Sequence, residues 1–436
     1  MARAAVPPGP HVALVQVARF SRNPLRFLES MRRRYGDVFS VPYPMFGRPV
    51  YMADPAGVQT MLAGDPAVFH AGEANAGPLG PVMGARSVFL VDGEDHMRKR
   101  KLLLPPFHGR RLRQYGQTIA ELAAREVRGW PRGERFALRP RMQALTLDVI
   151  VRIVFGVTDP ERLALYRQRV PRLGEVADPV MWIPVARRDL GRFSPWARFV
   201  RARDAVDELI YDEIERTRRD PRLEERDDIL AVLLQARHDD GSAMSREELR
   251  DQLMTVIAAG HETTATGLCW LFERVLRHAE VEERLRAELA AGDDAYLEAT
   301  ATETLRVRPV VTDIARRVKR DVEVAGWTLP AGTFAIPSIA LIHTREDLYP
   351  EPHAFRPERF LDTKPGTYTW IPFGGGARRC IGAAFAMLEL KTIARTILDR
   401  TRLRAPDPRP ESPRARNVTI VPSRGAEVVM EASSPG

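Results

Sequence analysis

The chain has 436 residues, of which 44% are hydrophobic and 28% charged, so it can bury a large core. Its two cysteines are too few for a disulfide framework or a structural zinc site and favour a reducing compartment. The net charge of +9 is compatible with a nucleic acid, an anionic membrane or an acidic protein as partner, but no nucleic-acid-binding motif is present.

The N-terminal segment contains Pro7, Pro8 and Pro10 and has no uninterrupted apolar stretch, so we expect neither a signal peptide nor a membrane anchor. Apolar periodicity then predicts several helices, of which the longest begins with the capping pattern Ser245 and Glu248. These helices cover residues 112–130, 142–155, 202–218, 245–278, 296–306 and 383–398. Strands are predicted at residues 38–41, 322–329 with a turn at Gly326, 334–336 and 418–421.

Two long stretches lack a regular pattern: the Gly-rich residues 71–92 and the residues 170–195, which are rich in Pro and Arg. We expect both to be lids or binding loops. No repeat and no low-complexity linker divides the chain. The sequence therefore predicts one domain over residues 1–436 that is mainly α with small β-sheets, in which residues 1–32 form a Pro-rich segment and a first helix.

The strongest functional signal is the loop Phe373-Gly374-Gly375-Gly376-Ala377-Arg378-Arg379-Cys380-Ile381-Gly382. A thiolate that binds iron needs positive surroundings, and two arginines and the start of a helix supply them. Glycines allow a tight loop whose backbone N–H groups can bind the sulfur, while Phe373 can exclude water. With this composition, the pattern F-x-x-G-x-R-x-C-x-G would arise by chance about 5 × 10⁻⁵ times in such a chain.

This loop resembles the haem-binding signature of the cytochrome P450 family at all five fixed positions. The resemblance implies a single α-rich domain that encloses haem b (iron protoporphyrin IX), with Cys380 as the axial ligand of the iron. It also implies that haem contacts come from the loop, at Phe373, Gly374, Gly376, Arg378, Ile381 and Gly382.

A second family segment lies on the long helix, at Ala259-Gly260-His261-Glu262-Thr263-Thr264. By resemblance, Ala259 and Gly260 lie against haem, and the glycine lets the helix widen into a groove for O2. Glu262 and Thr263 are the expected catalytic residues, because a carboxylate and a hydroxyl with water can relay the protons that O–O cleavage needs. We interpret His261 as a spacer and not as an iron ligand.

The family's E-x-x-R pattern matches Glu303 and Arg306. The pattern is weak alone, and Glu283/Arg286 and Glu215/Arg218 also fit it. We choose Glu303 and Arg306 because a proline follows the helix and strands come next. With Arg359 of the segment Pro357-Glu358-Arg359-Phe360, the resemblance implies a buried structural triad.

His96 and Arg100 stand four residues apart, so they share a helix face. The family places a pair of this kind at the haem propionates, with further donors that match Arg378 and Arg316. Arg317 is the alternative to Arg316.

The implied function is insertion of one atom of O2 into a hydrophobic small molecule by a bacterial, cytoplasmic enzyme. The chain shows no flavin or nicotinamide fingerprint and no reductase domain, so we expect electrons from an external ferredoxin and its reductase. A cluster of basic residues could dock such an acidic partner: Arg98, Lys99, Lys101, Arg110, Arg111, Arg113 and Arg379.

The substrate pocket is expected, by resemblance, at Phe89, Leu90, Thr255, Ala258, Val311, Thr312 and Ile314. These mostly apolar walls suit a fatty acid, a terpenoid or a polycyclic lipid. The alternatives are a peroxide-driven haem-thiolate enzyme, an isomerase or dehydratase of the same fold, and a non-catalytic haem sensor. None of these needs the Glu262–Thr263 pair.

Overall fold

The computed structural model describes residues 6–107 and 109–431. The helices in its first half are α1 (Ala13–Arg22), α2 (Pro24–Tyr35), α3 (Pro55–Ala63), α4 (Ala71–Met83), α5 (Gly93–Leu103), α6 (Gly109–Arg128), α7 (Leu138–Phe155), α8 (Pro160–Trp182) and α9 (Pro195–Arg218). The later helices are α10 (Ile229–Gln235), α11 (Arg246–Val275), α12 (Ala279–Ala290), α13 (Ala295–Val307), α14 (Ile339–His343) and α15 (Ala383–Arg400).

The strands are short and form small sheets. They are β1 (Val38–Ser40), β2 (Val50–Met52), β3 (Phe69–His70), β4 (Arg135–Ala137), β5 (Arg316–Val318), β6 (Val322–Val324), β7 (Trp327–Leu329), β8 (Phe334–Pro337), β9 (Leu403–Arg404), β10 (Pro413–Arg416), β11 (Thr419–Pro422) and β12 (Glu427–Met430). The largest sheet has the order β1-β2-β8-β5-β3, in which only β2 and β8 run parallel. The predicted class, mainly α with small sheets, is confirmed.

The long helix α11 is at the centre of the main hydrophobic core, packed against α7, α9 and α15. It begins where the sequence predicted, because the Ser245 hydroxyl accepts a hydrogen bond from the Glu248 backbone N–H at 3.1 Å. The Glu248 side chain does not complete the capping box. It binds Lys99 of α5 at 2.7 Å and so fixes α5 against the start of α11.

The two stretches predicted as irregular loops are mostly helical, so that prediction was wrong. Pro78 and Pro81 lie inside α4, and Pro171 and Pro179 lie inside α8. Proline normally ends a helix because it has no N–H and clashes with the preceding turn. In α4, tertiary contacts support the first turn: the Asp92 carboxylate accepts hydrogen bonds from the backbone N–H groups of Gly72 and Glu73, both at 2.8 Å.

No helix among the described residues combines the length and apolar character needed to cross a bilayer.

Candidate active site

The loop around Cys380 is held by its own backbone and by the helix that follows it. The Cys380 N–H donates a hydrogen bond to the Phe373 carbonyl at 2.9 Å, which closes the loop, and α15 begins three residues later. The backbone N–H of Gly382 donates to the sulfur. The loop therefore presents the cysteine at the N-terminal end of α15, where the helix dipole favours a thiolate.

Gly374 and Gly376 are both required by the backbone. Their φ angles are +68° and +62°, in the left-handed region that other residues avoid. At Gly376 a Cβ atom would lie 1.8 Å from the carbonyl oxygen of Leu62, so any side chain would push the loop away from the end of α3. The predicted tight turn thus depends on the left-handed backbone at these glycines and on the close approach of the loop to the end of α3.

Cys380 has accessible surface although protein surrounds its side chain. The residue is exposed, yet burial by surrounding protein raises the pKa of its thiol. The hydrogen bond from Gly382 and the charges of Arg100 and Arg379 lower the pKa and partly oppose this effect. These facts agree if the sulfur faces an internal space, where a metal ion would stabilise the thiolate.

A cluster of positive groups lies beside this space. His96, Arg316 and Arg378 line one small cavity of about 40 Å³, and the charge of Arg100 acts on His96 and Arg378. Asp92 is the carboxylate in this cavity, and its Oδ1 accepts a hydrogen bond from Arg378 at 2.5 Å.

The cluster is short of negative charge. Burial lowers the pKa of Arg316 to about 10, and the neighbouring charge of Arg378 acts in the same direction. Burial and the charges of Arg378 and Arg100 lower the pKa of His96 to about 4. A buried guanidinium needs an anionic partner, and the described hydrogen bond of the Arg316 side chain is to its neighbour's carbonyl, Ala315 O, at 2.9 Å.

These donors fit haem b. Its two propionates would supply the negative charge that the cluster lacks, and Cys380 would supply the soft ligand that iron accepts. Arg316 lines the cavity with His96 and Arg378, whereas the guanidinium of Arg317 lies 4.5 Å from the centre of the Phe334 ring.

The α11 segment places Glu262 and Thr263 on a continuous helix. The Thr263 hydroxyl donates to the Ala259 carbonyl at 2.6 Å, so its lone pairs remain free to accept from water. The Glu262 carboxylate accepts hydrogen bonds from Arg139 and Gln143 of α7, both at 2.5 Å. His261, interpreted as a spacer, has its Nδ1 2.9 Å from the Ile257 carbonyl oxygen within the same helix.

Gly260 also has a packing role that the sequence did not suggest. We expected its missing side chain to widen the helix into a groove. In the structure a Cβ atom at this position would lie 2.7 Å from Cδ1 of Ile150, and no break interrupts α11. The glycine therefore permits close packing of α11 on α7, and Ile150 occupies the space beside it.

Glu303 and Arg306 form a fully buried ion pair, with nitrogen–oxygen distances of 2.6 and 2.8 Å. Arg306 also donates to the carbonyls of His343, Pro352 and Ala354. Arg359 Nε lies 3.5 Å from Glu303. The three residues are therefore together as expected. Of the alternatives, Arg286 pairs with Glu282, and Glu215/Arg218 is a partly exposed surface pair.

The residues expected to wall a pocket fall into two groups. Thr255 is buried, and its hydroxyl is 2.7 Å from that of Ser87, which joins α11 to the segment that carries Phe89 and Leu90. Phe89 is exposed, whereas Leu90 packs near Gly72 and Gly80 of α4. After α13, Thr312 is buried and donates to Asp313 at 2.9 Å, while the partly buried Ile314 lies over Gly374 of the cysteine loop. The remaining members, Ala258 and Val311, are partly buried.

Sequence reasoning missed three residues of this region: Arg139 and Gln143, which hold Glu262, and Asp92, which binds Arg378. No local pattern marks the first two, because they stand more than 100 positions from Glu262. Asp92 had a weak signal, as it begins the acidic run before His96.

Comparison with known proteins agrees with this geometry. The family model described as Cytochrome P450 matches residues 6–430. Cytochrome P450 135B1 of Mycobacterium tuberculosis is 44% identical, over 98% of this chain and 92% of the relative. Cytochrome P450 138 of the same species is 40% identical over 93% and 91%. Among solved structures, retinoic-acid-bound cyanobacterial CYP120A1 superposes with a TM-score of 0.86 at 23% identity, covering 99% of this chain and all of the other. The haem domain of cytochrome P450DA gives 0.84 at 21%, with coverage of 100% and 99%.

Proposed function

The chain belongs to the cytochrome P450 family, and from this membership we propose that it oxidises a fatty acid, a terpenoid or a polycyclic lipid with electrons from an external ferredoxin and its reductase. It is a haem-thiolate monooxygenase, an oxidoreductase. The observation that carries the site assignment is an accessible, interior cysteine beside a cluster of cations in which Asp92 is the carboxylate of the shared cavity.

When bound, haem supplies the activation of O2 and its transfer to substrate. Cys380 would hold the iron, and the loop's N–H group and the nearby arginines would stabilise the thiolate charge. His96, Arg100, Arg316 and Arg378 would hold the propionates and so fix the orientation of the cofactor. Phe373, Gly374, Gly376, Ile381 and Gly382 would lie against the ring, with Ala259 and Gly260 on α11.

Glu262 and Thr263 would deliver protons. The Thr263 hydroxyl can accept a hydrogen bond from water with its free lone pairs. The Glu262 carboxylate can take a proton from solvent when its hydrogen bond to Arg139 or Gln143 is broken. Arg139 and Gln143 would be positioning residues for this carboxylate.

The substrate class rests on the pocket walls. Val311, Ile314, Leu90, Phe89 and Ala258 are apolar, while Thr255 and Thr312 have their hydroxyls bound to protein neighbours. Such walls offer apolar contact area and few free hydrogen-bonding groups, which favours a hydrophobic substrate.

The expected docking surface for ferredoxin is smaller than the sequence suggested. Lys99 is buried against Glu248, Arg98 and Lys101 pair with Asp95 and Asp239, and Arg111 lies 3.6 Å from Asp227. The side chain of Arg110 lies outside the described residues. Arg113 and Arg379 are exposed, and Arg113 is on α6, which packs along α15 on the cysteine side. We propose that these two carry the docking charge.

The test is NADH consumption by the haem-loaded enzyme with a ferredoxin, its reductase and a panel of fatty acids, terpenoids, sterols and retinoic acid. We expect substrate-dependent consumption with a hydroxylated or epoxidised product. Turnover with hydrogen peroxide alone at an equal rate would favour the peroxide-driven alternative. A product isomeric with its substrate, or one lacking the elements of water, would favour an isomerase or dehydratase, and tight haem binding without any product would favour a sensor.

A further inference from the structure

Asp313 is an acidic residue in the segment between α13 and β5, where its neighbours Thr312 and Ile314 are expected to wall the pocket. Its backbone pairs with Ser338 in an isolated antiparallel bridge, and the Ile314 N–H donates a hydrogen bond to the Pro337 carbonyl at 3.3 Å. The segment is therefore held along the end of β8, which fixes the direction of the Asp313 side chain.

The carboxyl group of Asp313 is only half satisfied. Its Oδ2 accepts a hydrogen bond from the Thr312 hydroxyl at 2.9 Å, whereas Oδ1 is buried and has no hydrogen-bond partner among the described residues. Burial raises the pKa of the group to about 6, and the hydroxyls of Ser338 and Thr312 oppose this only in part. A buried acceptor without a donor costs free energy, which a ligand carrying an O–H or N–H group would recover.

The surroundings of Asp313 contain no compensating cation. Within residues 6–107 and 109–431, no Arg, Lys or His forms an ion pair with it, and the propionate cluster around Arg316 does not act on its pKa. The residue is partly accessible although protein surrounds its side chain, a combination shared with Cys380. Asp313 therefore borders an internal space next to the expected pocket walls.

Two buried tyrosines supply hydroxyl groups beside this acid. Tyr51 is on β2, and Tyr43 is in the turn between β1 and β2, where it pairs with Gly47. Burial raises the pKa of both phenols, and the charge of Asp313 acts in the same direction on each. The Tyr51 hydroxyl donates to the Tyr43 oxygen at 3.4 Å, so the Tyr43 proton has no acceptor among the described residues. The cluster thus holds one unused acceptor and one unused donor.

We propose that Asp313 and Tyr43 bind a hydroxyl group of the substrate, so that the enzyme prefers hydrophobic alcohols. A hydroxyl can donate to the free oxygen of Asp313 and accept from Tyr43 at the same time. A carboxylate has no proton to donate and would bring a second negative charge to a buried acid, while an ammonium group has no lone pair for Tyr43. The inference rests on the proposed function, and it disfavours fatty acids among the substrate classes named there.

The experiment is isothermal titration calorimetry of the resting, haem-loaded enzyme with two series of ligands. One series is farnesol, farnesoic acid and the hydrocarbon farnesene, and the other is dodecanol, dodecanoic acid and dodecyltrimethylammonium. Within each series we expect the alcohol to bind roughly 10-fold more tightly than the other members, the factor that one hydrogen bond to an ionised group supplies.

Asp313→Asn should reverse this preference. The amide oxygen can keep the hydrogen bond from Thr312, which turns the NH2 group, a donor, towards the ligand. Alcohols should then bind roughly 10-fold more weakly and acids more tightly, while farnesene is unaffected. Tyr43→Phe should weaken the binding of alcohols about 5-fold and leave farnesene unchanged, because the ring remains and only the donor is lost. A purely structural role of Asp313 would not exchange one ligand class for another.

The matched control is Asp362→Asn, which removes the same charge at an exposed position and should leave all the affinities unchanged. The Soret band of the ferrous–CO complex shows that each variant is folded and holds haem. Turnover with ferredoxin and reductase tests the proposed function separately. An alcohol that binds through Asp313 without being oxidised would contradict that function and support this inference, whereas equal binding and oxidation of a fatty acid would do the reverse.

Three results would overturn the proposal. The first is the absence of a preference for the alcohol in both series, failure to bind any member included. The second is a preference that survives Asp313→Asn, or an equal loss of alcohol and hydrocarbon binding in that variant, which would mean that the acid only supports the fold. The third is tighter binding of dodecyltrimethylammonium than of dodecanol, which would make Asp313 a site for cations.

Discussion

Glu262 and Arg139 form an ion pair that joins the Thr263 segment of α11 to α7, with a nitrogen–oxygen distance of 2.5 Å and both side chains largely buried. Gln143, one turn further along α7, donates to the second oxygen of the carboxylate. Both carboxylate oxygens are therefore bound to α7. In the proposed relay, the carboxylate would have to exchange one of these donors for water before passing a proton towards Thr263.

Glu262→Gln should slow product formation about 100-fold while haem content and substrate affinity remain unchanged, because an amide cannot carry the proton. Product formed per enzyme with ferredoxin and reductase measures the first effect, and the substrate-induced spectral shift measures affinity. Arg139→Gln keeps the carboxylate and should lose less turnover. Equal losses in the two variants would mean that the ion pair matters and the proton does not.

Thr263→Ala should uncouple the enzyme and leave haem and substrate binding nearly intact. The hydroxyl already donates to Ala259, so in the proposed relay it would act as an acceptor for water. Without it, most electrons should leave as peroxide or water. The measurement is the ratio of product to NADH consumed. Thr263→Ser keeps the hydroxyl and should keep most of the coupling, and unchanged coupling in the alanine variant would exclude Thr263 from the relay.

Cys380→Ser should abolish the red-shifted Soret band of the ferrous–CO complex, which is diagnostic of a thiolate ligand. The control is Cys269→Ala, which removes the other cysteine, a core residue of α11 whose thiol pKa burial raises. The control should keep the band. A serine variant that also keeps it would remove Cys380 from the ligand position.

Glu303→Ala should yield little haem-loaded protein. The substitution leaves Arg306 buried without its partner, and breaking a buried pair costs about 3–5 kcal/mol, a large share of the roughly 5–15 kcal/mol that stabilises a folded protein. The yield of holoprotein and its thermal midpoint are the measurements. Glu283→Ala alters an exposed residue of the competing pattern and should behave normally. Normal recovery of the Glu303 variant would mean that no triad supports the fold.

Local sequence patterns were sufficient to predict the features that depend on residues close together in the chain. The cysteine loop and the Glu303–Arg306 pair are of this kind, because close spacing along the chain already brings their groups together. The sequence-based predictions failed where contacts between residues far apart in the chain determine the local structure. Asp92 supports the first turn of α4 from 20 positions away, and α4 is helical although it contains two prolines. Lys99 appeared to be a surface charge because its partner, Glu248, is 149 positions away.

The redox partner gives the last prediction. If Arg113 and Arg379 dock an acidic ferredoxin, reduction of the haem depends on attraction between exposed charges, which physiological salt screens over about 8 Å. Added salt should therefore slow reduction and should scarcely change the affinity of an uncharged substrate. Arg113→Glu should mimic high salt by lowering the association rate several-fold, since the change reverses a steering charge. We prefer it to a change at Arg379, whose charge also acts on Cys380, or at His96 and Arg100, whose loss would disturb the haem itself. Arg219→Glu reverses a charge at the end of α9 and serves as the control.

The measurement is stopped-flow reduction of the haem by ferredoxin at several salt concentrations. A reduction rate that is indifferent to both salt and Arg113→Glu would exclude electrostatic docking at this surface.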